Sequence, residues 1–441
     1  MDRRNRLTQA VGPWALWLAF ACLHAALFYL DLSPDSRRPF GDEVMYRTLA
    51  QSAARGTPGT LELLWPPLYV WLLTPFATIG EGWPHLVALF QVALLGLSAL
   101  VFHPLLSRIT GSSTVADIGR AFLLLDPHLA AYAHYAWPEV VHIALLLLLL
   151  WLLVARPAGP LWWLAAGLTA GALCLTKSVL QPYLPLLLLP LGRDLGWRTA
   201  LLRAAGIAAL ASALLLPVAL NNWRTQGAFV VADSSRFGLW VGLHASGRRS
   251  AVYDSAGTEF LRFQASAGSF AERQALLDAQ LWSLVRERGV VGLVRRQWPT
   301  QYFRLFDYRT FMTEQFAGGP FLARGVGYAA PDPIVSSLLS AWNAAFYALI
   351  LAAAGVGLLT TPVRTRPWLA LLFGIVSYSL CLFLVFEARS RYRLPLMPAL
   401  WTAAAMALVF RGRGVARWRV AAGLSLSCLL LALAFGADSL P

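Results

Sequence analysis

Long unbroken apolar runs constrain this chain more than any other feature. One extends from Gly12 to Leu30, and runs of similar length recur to the end of the sequence. Several reach the roughly 18 residues needed to cross about 30 Å of hydrocarbon. Inside a bilayer the backbone must satisfy its own hydrogen bonds, which leaves helices and closed barrels. The runs lack the in–out alternation of a barrel strand, so helices are expected. Composition agrees: 58% of the 441 residues are hydrophobic and 13% are Asp, Glu, Lys or Arg, about half the charged fraction of a soluble protein. The mean hydropathy is +0.59.

The pattern predicts an all-α, polytopic transmembrane protein with eleven helices, near 12–31, 84–106, 116–136, 138–155, 160–176, 178–192, 200–220, 334–360, 368–387, 393–411 and 418–436. Three parts follow. Residues 1–220 form an N-terminal transmembrane module whose first external loop, 32–83, carries the chemistry; 221–333 is an extracytoplasmic or interfacial segment; 334–441 holds the last helices. In the loop, the apolar stretch from Pro66 to Ile79 is too short to span and is expected to lie in the interface or dip into the protein. In the middle segment, Leu276, Leu277, Leu281, Leu284 and Val285 recur at helical spacing between charged residues, the mark of an amphipathic helix. No internal repeat of the kind many transporters carry is visible.

The net charge of +14 does not point to nucleic acid. The basic residues sit in short clusters between apolar runs: Arg3, Arg4 and Arg6; Arg108 and Arg120; Arg156; Arg193, Arg198 and Arg203; Arg364 and Arg366; Arg411, Arg413, Arg417 and Arg419. With eleven helices these clusters fall on one side, the cytoplasmic one, together with the N-terminus. The first apolar run continues into Asp31-Leu32-Ser33-Pro34 without a small-residue cleavage site, so a retained helix is expected rather than a signal peptide. The expected location is therefore a membrane, crossed many times with the N-terminus in the cytoplasm. Cys22, Cys174, Cys381 and Cys428 all lie in apolar runs and read as packing residues, not a disulfide framework.

The polar residues that break this pattern on the outer side are few. Gly41-Asp42-Glu43-Val44-Met45-Tyr46 puts two adjacent carboxylates just outside the first helix. A helical pattern continues from there, so Asp42 and Tyr46 share a face. On spacing alone, Asp42 is an acid favoured by the positive end of a surface helix. Arg389, Arg391 and Arg393 precede the tenth predicted helix, against the cytoplasmic bias of the other arginines, and Lys177 sits between two apolar helices. Charges at membrane depth are costly and often functional, and arginine suits phosphate through paired hydrogen bonds; snorkelling to headgroups is the alternative.

Taken in order, several segments resemble GT-C membrane glycosyltransferases, most closely the family-39-type and aminoarabinose-transferase-type bacterial members. They are Gly41-Asp42-Glu43 with Tyr46 and Ala50; Gly56-Thr57-Pro58; Trp65-Pro66-Pro67-Leu68-Tyr69-Val70-Trp71-Leu72; Ala136-Trp137-Pro138-Glu139; Gly171 to Lys177; Asn221-Asn222-Trp223-Arg224; Gly238-Leu239-Trp240-Val241-Gly242; and Glu387 followed by Arg391-Tyr392-Arg393-Leu394-Pro395 and Pro398. The resemblance implies transfer of a sugar from a polyprenyl-phosphate donor to an acceptor hydroxyl on a glycan, lipid or protein. It implies Asp42 as the general base, with Glu43 the less favoured of the pair. The lipid phosphate is already a good leaving group, whereas the attacking hydroxyl must lose a proton to a carboxylate. Inversion at the anomeric carbon follows. A bacterial inner, or cytoplasmic, membrane is the location the resemblance implies. Arg391, Arg393, Arg389 and Lys177 are the candidate phosphate ligands. Tyr46 and Tyr69 complete the substrate-binding set, and Trp65 and Trp240 offer further rings to a sugar.

Many relatives carry Lys where this chain has Trp65, and the nearby acid is Glu62. No cofactor is firmly implied. A divalent Mg or Mn ion held by Asp42 and a second acid, Glu139 or Asp126, stays open, since oxygen ligands leave no tight sequence signature. His128, His134 and His142 are spaced too widely for one helical turn and are expected to be packed or hydrogen-bonded. Two other classes share the helices and arginines: a flippase or transporter of a lipid-linked sugar, and a polysaccharide polymerase or ligase using a lipid-diphosphate donor.

Overall fold

The computed structural model describes residues 3–31, 41–56, 65–80, 82–156, 161–244, 269–316, 332–361, 366–410 and 415–436, and among them every regular element is a helix. Glu62, Arg364, Arg411 and Arg413 lie outside the described residues. Among the described residues five helical stretches are long and apolar enough to cross a membrane: Trp83–Thr110, Trp197–Gln226, Pro333–Thr360, Ser390–Phe410 and Arg417–Phe435. Five apolar helices of 10–17 residues accompany them, among them Trp14–Leu30, Glu139–Ala155 and Trp162–Thr176. Large apolar side chains on the long helices face outward, as on Leu201, Leu202 and Leu216. That outward face belongs against lipid.

The predicted apolar intervals fall on helical backbone, with three revisions. The interval 116–136 is two helices, Ser113–Leu124 and Pro127–Ala133. Asp126 divides them: its side chain accepts from Leu129 N at 2.9 Å, and Pro127 opens the new helix, a standard N-terminal arrangement. The interval 178–192 begins as a 3-10 helix, Ser178–Leu188, because Pro182 and Pro185 remove backbone donors that an α-helix needs. The interval 368–387 stops at Leu382.

The elements that build the site can be labelled in chain order. α1 is Arg3–Asp31, α2 Asp42–Ala54, α3 Leu68–Ala77 and α4 Trp83–Thr110. α5 is Ser113–Leu124, α6 Pro127–Ala133, α7 Glu139–Ala155 and α8 Trp162–Thr176. The stretch from Pro66 to Ile79 does not span: α3 has ten residues and buries Tyr69, Val70 and Leu73 against α2 and α4. One buried glutamine locks this corner. The Tyr69 hydroxyl donates to Gln91 Oε1 at 3.0 Å, and Gln91 Nε2 donates to the carbonyls of Ala133 and Tyr135 at 3.3 and 2.6 Å. α3, α4 and the turn between α6 and α7 are thus tied into one unit.

The expected amphipathic helix runs from Phe270 to Phe306 and kinks at Gly289, whose φ is 66°. It opens with a capping box between Ser269 and Glu272. Leu277, Leu281 and Leu284 are buried against Trp240 and Val241 of the helix Ser235–His244. Together these two helices hold the segment after Leu382. Glu387 N donates to Gly238 O at 2.9 Å, and Ala388 N donates to Gln301 Oε1 at 2.8 Å. Gln301 Nε2 in turn donates to Gly242 O at 2.8 Å. A Cβ on Gly242 would lie 2.1 Å from Val385 O, so the close approach requires glycine there. Leu382 is therefore not the start of a loose loop. The chain is pinned from outside the helices and then turns into the 3-10 helix Ser390–Leu396, which carries the arginines.

Candidate active site

Two ion pairs and an aromatic wall make the site. α2 starts at Asp42, just after Gly41, whose φ of 57° and close packing on Trp137 suit glycine alone. Arg391 Nη1 donates to Asp42 Oδ2 at 2.6 Å. The Arg391 guanidinium also lies 4.7 Å from the Trp137 ring centroid and 4.9 Å from that of Tyr392. Arg391 Nη2 donates to the Tyr392 hydroxyl at 3.1 Å, so two aromatic residues and Asp42 fix the guanidinium. The Tyr392 ring is itself stacked on Phe383, with 1° between the planes.

The second pair lies beside the first. Lys177 caps the end of α8, Glu139 opens α7, and Lys177 Nζ donates to Glu139 Oε1 at 2.6 Å. Lys177 Nζ is 5.9 Å from the Tyr392 ring centroid, so both cations border one ring. The two acids differ in access. The Asp42 side chain is 22% exposed and the Glu139 side chain 1%. Lys177 is 20% exposed and Arg391 13%, so both cations keep an opening to what enters the site.

These surroundings set the protonation of the acid. Burial pushes the Asp42 carboxyl up, but the Arg391 guanidinium on it, with Arg389 and Lys177 nearby, pulls it down, and the net direction is down. Asp42 is therefore a carboxylate at neutral pH. Tyr46, one turn on, is pushed well above its ordinary value by burial and by the negative charge of Asp42 and Glu139, so it stays a phenol.

Not every candidate from the sequence joins this cluster. Glu43 is buried and accepts from Ala136 N at 3.3 Å, which fastens α2 to the turn before α7. Tyr46 packs edge-on to Tyr69 at 5.1 Å and lies 6.1 Å from Trp65. Tyr69 gives its hydroxyl to Gln91. Arg389 donates to Glu387 at 2.6 Å, at the rim. Arg393 turns away: it is buried, donates to the carbonyls of Leu305 and Asp307, and lies 3.9 Å from the Tyr347 ring centroid. One residue separates each arginine from the next, and two steps of a 3-10 helix do not return to the same face, so Arg391 and Arg393 leave in different directions. Trp137 and Tyr392 stand in the resembling motifs without a role assigned from sequence, and Glu139 is named there only as a metal ligand; neither spacing nor charge pattern shows that they wall and balance the cations.

The acids named as possible metal ligands each have one oxygen engaged by a protein group. Asp42 and Glu139 each turn an oxygen to a cation, and Asp126 caps α6 while accepting from Trp401 Nε1 at 3.3 Å. Among the described residues no group of three or more His, Cys, Asp or Glu could hold a metal. His134 pairs with His24 at 3.0 Å, while His128 and His142 are packed in the interior.

One residue past Lys177, a cavity of about 430 Å³ opens between Cys174, Ser178 and Gln181 on one side and Ser212, Leu215, Leu216 and Ala219 on the other. Pro66 and the stretch 229–232 close it.

No family model matches the chain, and neither does any curated protein. Among solved structures it is similar to ArnT from Cupriavidus metallidurans bound to undecaprenyl phosphate. The TM-score is 0.40 at 14% identity, over 94% of this chain and 78% of that one. The apo state of the same protein gives 0.39 at 16% identity, over 95% and 78%. The likeness runs along nearly the whole chain and is loose.

Proposed function

We propose that this chain is a membrane glycosyltransferase that moves a sugar from a polyprenyl-phosphate donor to an acceptor hydroxyl, with Asp42 as general base and Arg391 and Lys177 as the phosphate clamp. The observation that carries this is the contact of a carboxylate and a guanidinium at 2.6 Å in a site bordered by a second cation. A base and an anion-binding pair must be neighbours if one molecule is to bring its phosphate to the cations and its anomeric carbon to the acceptor.

In the reaction the acceptor oxygen attacks the anomeric carbon from the face opposite the phosphate. The new C–O bond forms as the bond to the phosphate oxygen breaks. The acceptor proton passes to Asp42, and the electron pair leaves with the polyprenyl phosphate, whose charge rests on Arg391 and Lys177. The configuration at carbon inverts. No general acid is required, which fits a site whose acids are all paired with cations.

A prenyl chain cannot leave hydrocarbon without losing about 0.8 kcal/mol per CH₂. The cavity beside Ser178, with its leucine and valine lining, offers that chain a place next to the clamp. The excess of arginines in alternate loops supports an N-terminus in the cytoplasm and a site on the opposite side. The acceptor is a hydroxyl on a lipid, a glycan or a protein.

The test is sugar transfer by purified protein in detergent, supplied with a panel of prenyl-phosphate sugars and a mixed acceptor extract. Wild type transfers; Asp42→Asn, correctly inserted and monodisperse, loses at least about a hundredfold. Full turnover by that variant would remove the base, and transport without transfer after reconstitution would favour the flippase.

A further inference from the structure

The two acids of the site are paired in the same way but held differently. Asp42 sits on Arg391 at a partly open position, with Tyr46, Arg389, Lys177, Glu139 and Tyr392 as its charged or titratable neighbours. Glu139 sits on Lys177 with its side chain 1% exposed, and its Oε2 has no hydrogen-bond partner among the described residues. Lys177 is therefore what fixes the Glu139 carboxylate.

An ammonium has three donors. Lys177 can keep Glu139 on one of them and present the others to a ligand through its exposed side. A buried acid stripped of its hydrogen-bonded cation is strongly disfavoured, so this pair stays together. Arg391 is placed otherwise. Its Nη1 is held by Asp42 and its Nη2 by the Tyr392 hydroxyl, so a phosphate that takes Nη1 must displace Asp42, whose side chain is 22% exposed.

We propose that the two acids have opposite roles toward the donor: Glu139 is a positioning residue that keeps Lys177 in the clamp, while Asp42 is a resident counter-ion that the donor's phosphate displaces from Arg391. This rests on the glycosyltransferase reading. Displacement frees Asp42 for the acceptor hydroxyl only when a donor is present, so the base is released by the substrate it serves. In the empty site Asp42 is weakened as a base by its guanidinium; with phosphate on Arg391 it becomes a stronger one.

The experiment measures binding of a farnesyl methyl phosphodiester, whose single charge does not titrate near neutral pH, to the full-length protein in detergent. Asp42→Asn is expected to bind about tenfold tighter than wild type, because the competitor for Arg391 is gone. Glu139→Gln is expected to bind about tenfold weaker, and Glu139→Asp to recover part of that loss at a similar melting temperature. The gain from Asp42→Asn is expected to vanish in an Arg391→Gln background. In wild type, affinity is expected to rise as pH falls, because freeing Asp42 raises its affinity for a proton; this arm stands alone if Asp42→Asn does not fold. If both acid variants tighten binding, the acids merely repel the probe and the division of roles is wrong. Unchanged affinity in both overturns it too. No binding by wild type, or undiminished binding by Arg391→Gln and Lys177→Met, sinks the phosphate clamp itself and is told apart from the other failures by that pattern.

Discussion

Asp42 and Arg391 stand 349 positions apart in the sequence and touch at 2.6 Å. One comes from the helix after α1 and the other from the 3-10 helix before a late apolar one, so the contact joins the two ends of the fold across the site. An arginine held between Trp137 and Tyr392 is not interchangeable with lysine, which lacks both the planar fork and the stacking face. Arg391→Lys is therefore expected to lower kcat/KM by about tenfold to a hundredfold, roughly 1.4–2.7 kcal/mol of lost transition-state binding. Arg391→Ala should lose more. Elution volume and melting temperature near wild type would separate this from misfolding.

The pH profile follows from the direction of the Asp42 shift. The free-enzyme carboxyl is lowered by Arg391 acting against burial, and the base works only when ionised. Its active form therefore persists below the ordinary aspartate value of about 3.9 and is lost only as pH falls through the lowered one. No acid limb of kcat/KM assigned to Asp42 is expected between about pH 7 and about pH 4.5. In Arg391→Gln the residual activity should show that limb moved upward. A wild-type limb above the ordinary range, unmoved in the variant, would exclude this pairing as its cause.

How much of this could be seen in the sequence varies with the kind of contact. The helices were legible because apolar runs must become helices in a bilayer, and Asp42, Arg391 and Lys177 stand out as charges beside those runs. The break at Asp126 was hidden, since a capping acid inside an apolar stretch looks like an isolated polar residue until Leu129 N is seen on it. Arg391 and Arg393 are the sharper case. Two residues apart and chemically identical, they part because the 3-10 turn sends one to Asp42 and the other to Tyr347 and the carbonyls near the end of the long amphipathic helix. Periodicity cannot choose between them, because the direction of each side chain depends on a turn pinned from elsewhere by Gln301 and Gly238.

Arg393 should then matter for stability and not for the donor. Its guanidinium satisfies two backbone carbonyls and covers the Tyr347 ring. Arg393→Met keeps the apolar stem and removes those bonds, at an expected cost of about 1.5–3 kcal/mol. Thermal unfolding in detergent should register that loss while the donor KM stays within about twofold. A large rise in KM without destabilisation would return Arg393 to the phosphate site.

The buried pair makes a two-step prediction. Lys177→Met leaves Glu139 buried and without its hydrogen-bonded cation, which is expected to destabilise by about 3–5 kcal/mol. Adding Glu139→Leu removes the stranded charge and should restore most of the lost stability. Transfer should not return, because half the clamp is still missing. Melting temperature and activity of the single and double variants test both halves, and recovery of activity in the double variant would deny Lys177 its place on the phosphate.

Gly41 tests whether backbone geometry places the base. Its φ of 57° and ψ of −133° lie in a region other residues avoid, and holding a side chain there costs about 1–3 kcal/mol. A Cβ would also lie 3.3 Å from the Trp137 ring, the same ring that supports Arg391. The strain can relax only by rotating the start of α2 or by shifting Trp137, and either movement disturbs the Asp42–Arg391 contact. Gly41→Ala is therefore expected to lower kcat by about tenfold or more with a stability loss no larger than the strain. The same substitution at Gly56, where φ is also positive and nothing lies within 4 Å, supplies the control. A side chain there also meets a positive φ but no neighbour, so it should cost stability and leave kcat near wild type. Equal losses of kcat at both positions would mean that strain alone, not the placement of Asp42, governs the rate.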